Sequence, residues 1–269
     1  MSIPVGAPRL TFDVASTPGI PFGRSFVIEL RKSADTRAGR WLIGITAGLA
    51  LVANVIFLIV AATHPHDEAS FGDFVAVSAF VSSVLLPVLG IMLVTSEWSQ
   101  RTAMTTFTLE PRRMRIVLAK MLAGVALTAF VIVFALVVGV ICNVLLGLMR
   151  DAGADWTFGW SGFFGFIINQ TFAMLGGFAL ACLLLNTPAA IVAFFAYRYV
   201  LPTLLAIGSA LMVWFSHVAP WIDFQSASAE LYDMPLTGSQ WAHLAVSGFI
   251  WLVLPLVIGL WRIRRAEVK

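Results

Sequence analysis

The chain has 269 residues, 59% of them hydrophobic and only 12% charged, with a mean hydropathy of +0.92. Soluble domains carry about a quarter charged residues, so composition excludes a water-soluble globule and indicates a polytopic membrane protein. The net charge of +3 is split into separate clusters with no basic stripe interleaved with aromatics, which argues against nucleic-acid binding.

The N-terminal stretch holds Pro4, Pro8, Pro18 and Pro21 among scattered arginines and no apolar run. No cleavable signal is expected there, and residues 1–22 read as a flexible cytoplasmic tail. Residues 23–40, GRSFVIELRKSADTRAGR, repeat Phe26, Leu30 and Ala34 at near-helical spacing among Arg24, Arg31, Lys32 and Arg37. That pattern predicts a basic amphipathic helix in the headgroup plane; a solvated basic tail that only sets topology is the alternative.

Six runs reach the roughly twenty apolar residues a crossing needs: Trp41–Ala62, Phe74–Thr95, Ile116–Leu148, Phe163–Leu185, Ala189–Phe215 and Ala242–Trp261. The third is too long for a perpendicular crossing, so it tilts or projects past the bilayer. Fused, the fourth and fifth would make a helix of roughly 80 Å. Asn186-Thr187-Pro188 separates them, because proline disfavours helical geometry at the residue before it. The chain is thus expected to be all-α, with a six-helix transmembrane unit over residues 41–269.

Cations cluster before the first run (Arg9, Arg24, Arg31, Lys32, Arg37, Arg40), between the second and third, and at the end (Arg262, Arg264, Arg265, Lys269). The positive-inside rule places these clusters and both termini in the cytoplasm. Trp156, Trp160, Trp221 and Trp241 are expected at the outer interface and Trp41, Trp98 and Trp261 at the inner one. Cys142 and Cys182 fall inside apolar runs and read as small hydrophobes.

The segment 96–120, SEWSQRTAMTTFTLEPRRMRIVLAK, is a long basic island between two apolar runs. Glu97 at the membrane edge requires a partner, and Arg101 stands four positions on, where helical side chains meet. Thr102–Leu109 offers Met104, Phe107 and Leu109 for insertion into a protein groove, Pro111 breaks the segment, and Arg112, Arg113, Arg115 and Lys120 mark re-entry. A loop whose charges merely anchor two helix ends is the competing reading. Deeper in the membrane, Asn143, Asn169 and Arg198 are the candidate pathway residues. Arg198 lies about 15 Å into the fifth run, too deep to snorkel easily. In the outer loop 216–240, Trp221, Phe224, Ala227 or Ser228, Leu231 and Met234 recur at three to four residues, an amphipathic helical stripe.

The order Glu97, Arg101, Thr102, Pro111, Arg113, Lys120, with Asn186-Thr187-Pro188 further on, resembles that of bacterial ABC-2 type transporter permeases. Glu29, Arg31, Lys32 and Arg40-Trp41-Leu42 resemble the segment that precedes the first span in that family. The family's threonine often follows glycine; here it follows Arg101. The resemblance implies that Glu97, Arg101, Thr102, Phe107, Pro111, Arg113 and Lys120 form the contact with a separate cytoplasmic ATPase. It also implies two copies of that ATPase, a homodimer or a heterodimer with a similar permease, surrounding lipids, and re-entrant or interfacial helices in the outer loop.

Enzyme chemistry is poorly supported. Gly159-Trp160-Ser161-Gly162 and His243 match the pattern of intramembrane serine proteases, but both fall at the predicted membrane edge. His64-Pro65-His66 would at most bind a divalent cation adventitiously, and no metal site is expected. No phosphate-binding loop G-x-x-x-x-G-K-[ST] occurs, so no cofactor is expected on this chain, and ATP with magnesium would sit on the partner. The expected function is the permease subunit of an ATP-driven exporter of a drug, lipid or peptide in the bacterial cytoplasmic membrane. The alternative is an ion-coupled carrier or channel, weakened because the apolar runs hold no carboxylate.

Overall fold

The computed structural model describes residues 21–64, 68–99, 112–151 and 153–265. Among these no strand occurs, and six helices are long and apolar enough to cross a membrane. The chain opens on α1, Phe22–Asp35. Thr36 then turns extended and caps α2, Arg37–Thr63, its hydroxyl accepting from the Gly39 amide at 3.1 Å. The amphipathic helix therefore stops at Asp35, and Arg37–Arg40, expected at its end, begin the first crossing helix.

The next crossings are α3, Phe71–Ser99, α4, Arg113–Arg150, and α5, Gly159–Leu184. α6, Thr187–Leu211, and α9, Gly238–Arg265, complete the six. The break between α5 and α6 falls where proline placed it. Leu185 adopts a left-handed conformation (φ 52°), and the Asn186 side chain caps α6 by accepting from the Ala189 amide at 3.0 Å. Pro188 occupies the first turn of α6, where a missing N–H leaves no bond unmade.

α3 and α5 form the centre of the bundle, with Leu86, Ile91, Met174 and Phe178 fully buried between neighbours. Their backbones approach closely: a Cβ on Gly90 would lie 2.6 Å from the Met174 carbonyl oxygen. Such small-residue contacts are how helices associate where lipid is as apolar as leucine. α2, α6 and α9 are peripheral and turn side chains such as Ile56, Leu204 and Val257 outward.

At 38 residues, α4 is about 57 Å long. Its first turns belong to the bundle: Val117 shares the central core with Cys182 and Ile263, and Gly124 faces Met174 and Leu93. α1 packs along the same stretch, in which Ile116, Ala119, Lys120 and Ala123 are buried.

The fifth crossing ends at Leu211 rather than Phe215. Met212 turns extended, and α7, Val213–Ile222, folds back on α6. The Phe215 ring sits against Gly208, where a Cβ would meet it at 2.6 Å. Because the apolar run continues through the reversal, hydropathy alone places the helix end too late. α8, Phe224–Ala229, follows and tightens into a 3₁₀ turn, Glu230–Asp233. Most of the expected stripe is the buried face of this segment: Phe224, Ala227, Ser228 and Leu231 are buried and Met234 packs against them, whereas Trp221, its first member, is exposed. Asn169, about 15 Å into α5, donates from Nδ2 to the Ser228 carbonyl at 2.8 Å. The segment thus dips back into the bundle as a re-entrant pair of helices.

Candidate functional site

The end of the bundle that carries α1, called the inner end after the orientation expected from the charges, is organised around four charges. α1 inserts Glu29 from its packed face, α3 brings Glu97 near its last turn, and the start of α4 brings Lys120. Lys120 Nζ lies 2.7 Å from Glu29 Oε2 and 3.0 Å from Glu97 Oε1. Lys32 Nζ closes the ring at 2.9 Å from Glu29 Oε1 and 3.1 Å from Glu97 Oε1. Each ammonium therefore bridges both carboxylates, and the four charges cancel. Lys120 and Glu29 retain only 7% side-chain exposure, Lys32 45%. Burial works against the Lys32 charge, but the bond and field of Glu29, joined by Glu97, outweigh it and hold its ammonium above the ordinary lysine value. Leu30 packs beside the ring with Leu42 and Ile43 against Leu89, Leu93 and Leu127.

Sequence reasoning placed Glu97 and Lys120 at one site, and the structure brings them into direct contact. It did not find Glu29 as the joining group. The one signal was an acid on the apolar stripe of α1, between Phe26 and Leu30, which is unfavourable unless a cation meets it. Arg113 donates from Nη1 to the Ile263 carbonyl at 2.9 Å, so the start of α4 is tied to the end of α9 as well. Arg101, Thr102, Phe107 and Pro111 lie outside the described residues, as does the Glu97–Arg101 pair; the described partners of Glu97 are Lys32 and Lys120.

The two candidate pathway asparagines are engaged in holding the outer half. Asn143 is buried and donates from Nδ2 to the Asp155 carbonyl at 2.9 Å, fixing the loop after α4. Asn169 holds the re-entrant pair as described, and also donates to the Gly165 carbonyl at 3.0 Å. Arg198 sits in a π-helical turn of α6, Ala196–Val200, and a second such turn, Phe249–Val253, lies in α9. The turns meet through Tyr197 and Trp251, whose rings stack at 4.9 Å. Trp251 Nε1 donates to the Ile222 carbonyl at 2.9 Å, which fastens the end of α7. Wide turns of this kind recur at functional positions in helices.

The carboxylate of Glu230, absent from the sequence reading of the site, stands at the foot of the re-entrant pair, with Oε2 sealed from solvent and unpartnered. His243 packs edge-on against Trp221 at 4.6 Å, and among the described residues no hydrogen bond joins it to Ser161. No protein-family model matches the chain, and no curated protein matches it.

Proposed function

We propose that this chain is the transmembrane subunit of an ATP-driven exporter of the ABC-2 type, seated in the bacterial cytoplasmic membrane and driven by a separate ATPase. The observation that carries the reading is the four-charge ring at the inner end. It makes α1 and the ends of α3 and α4 one mechanical unit, directly beside the segment 100–111 expected to receive the motor. A push on that segment would travel through Glu97 and Lys120 into two central helices without first bending them. The partners are two copies of the ATPase and a second permease, the same or similar, and the substrate is lipophilic or amphipathic.

Glu97→Gln tests this. The substitution keeps shape and membrane insertion but removes the charge shared by Lys32 and Lys120. Export is expected to fall severalfold while the amount of ATPase recovered with the protein stays unchanged. Wild-type export from the variant, or no ATPase co-purifying with the wild type, removes the reading.

One observation favours ion coupling as a second reading. The apolar runs hold no carboxylate, but the segment held by Asn169 brings Glu230 against the bundle, with Oε2 closed off and unpartnered. Transport that survives ATP depletion but collapses with the proton gradient decides for that alternative.

A further inference from the structure

Between the outer half of α6, the re-entrant pair α7–α8 and the first turn of α9 lies a cavity of about 300 Å³. Its walls mix Pro202, Leu205 and Ala227 with Ser209, Asp223 and Glu230. Asp223 is accounted for, because it caps α8: its carboxylate accepts from the Ser226 amide at 3.0 Å and the Ser226 hydroxyl at 2.6 Å. Glu230 is not. Its Oε2 is sealed without a partner, and among the described residues no cation stands within 4.0 Å of it.

Arg198 is the opposite charge in the same condition. Arg198, Pro202, Leu205 and Ser209 recur at i, i+4, i+7 and i+11, one face of the helix, and the last three line the cavity. Arg198 therefore stands one turn deeper on the lining face. Its Nε is buried and unpartnered, and it makes no ion pair among the described residues. Two half-buried groups of opposite sign thus stand at one cavity, Glu230 in its wall and Arg198 one helical turn beyond it, and they do not pair with each other.

We propose that the cavity binds the zwitterionic headgroup of an amphipathic molecule, an ammonium against Glu230 and an anionic group such as phosphate against Arg198. A ligand with a single charge would leave one of the two protein ions unmet. The volume is at the lower end of ligand pockets, roughly 300–1,000 Å³, so it suits a headgroup and not its chains. The chains would leave past α6, whose Leu204, Ile207 and Leu211 are exposed to the bilayer. The proposal rests on the export reading only in taking the ligand as the cargo; binding itself is tested without any ATPase.

The test is calorimetric binding to the purified chain in a neutral detergent, with lysophosphatidylethanolamine as zwitterion, lysophosphatidic acid as anion and dodecylamine as cation. The zwitterion is expected to bind at least about tenfold tighter than either other probe, the scale of one charge-assisted bond. Glu230→Gln should bring it down to the level of the anion, and Arg198→Gln to that of the amine. Ser209→Phe fills the cavity, keeps both charges and should abolish binding of all three, which decides the matter if a charge variant fails to fold. Equal affinity for amine and zwitterion in the wild type, or full affinity in Ser209→Phe, overturns the site. Intact binding with no ATP-driven export would sink the export reading and leave the site standing.

Discussion

The two ends of the bundle treat charge in opposite ways. At the inner end, Glu29, Lys32, Glu97 and Lys120 neutralise one another within 3.1 Å. In the outer half, Arg198 and Glu230 are half-buried, with Arg198 Nε and Glu230 Oε2 closed off and unpartnered, and they do not satisfy each other. Helices held by a closed ring move together or not at all, whereas unmet ions beside a cavity are what a ligand can meet. Under the proposed function the contrast would put transmission at the inner end and recognition in the outer half, and it can be broken by experiment.

The harshest blow is to take one member from the ring. Among the described residues of the ring, Lys120→Met leaves Glu29 and Glu97 with the half-exposed Lys32 between them. Removing one partner of a buried ion pair costs about 3–5 kcal/mol, so a drop in thermal stability of the detergent-solubilised protein by many degrees is expected. Adding Glu29→Gln should recover part of it, because the orphaned acid is removed too. If Lys120→Met unfolds with wild-type stability, the ring is decorative and the contrast fails.

Much of the frame could be read from the chain. Six apolar runs gave six helices long enough to cross, and Pro188 with Asn186 marked a boundary that hydropathy hides. The reversal at Met212 could not be read, since Val213-Trp214-Phe215 is as apolar inside the re-entrant helix as it would be in a continuing span. The inner site was half legible. Glu97 and Lys120 announced themselves by sitting at the edges of apolar runs, but Glu29 meets them only because α1 folds back along the start of α4. Glu230 was invisible as a cavity-lining charge for the same kind of reason: its place comes from the fold of residues 213–233, not from its own neighbours in sequence.

A smaller effect sharpens the outer side of the comparison. Asn169→Ala removes the side-chain donor to the Ser228 carbonyl, which still accepts from the Glu230 amide, at a cost of about 0.5–1.5 kcal/mol. The loss should be local. Amide exchange across residues 224–233 is expected to quicken while α3 and α4 stay protected, whereas a uniform rise in exchange would mean that the re-entrant pair is integral to the bundle and not a separately held element.

The mildest test returns to the ring at its most exposed member. Lys32→Ala removes an ammonium that keeps 45% side-chain exposure, so solvent screening limits the loss to about 1 kcal/mol or less. Its pH dependence has a fixed sign. The folded protein raises the Lys32 ammonium above its ordinary value through Glu29 and Glu97, against the opposing effect of burial. The contribution is therefore complete at every pH below the ordinary lysine range and is lost only as pH climbs through the raised folded-state value. Between about pH 7 and 9, well under that range, wild type and variant should differ by a constant small amount. In more alkaline solution the wild type should fall toward the variant as α1 loosens, read by proteolysis of the segment between α1 and α2. A gap between the two that widens with rising pH would show that Lys32 opposes the docking of α1, and the inner end would then hold an unmet charge of its own.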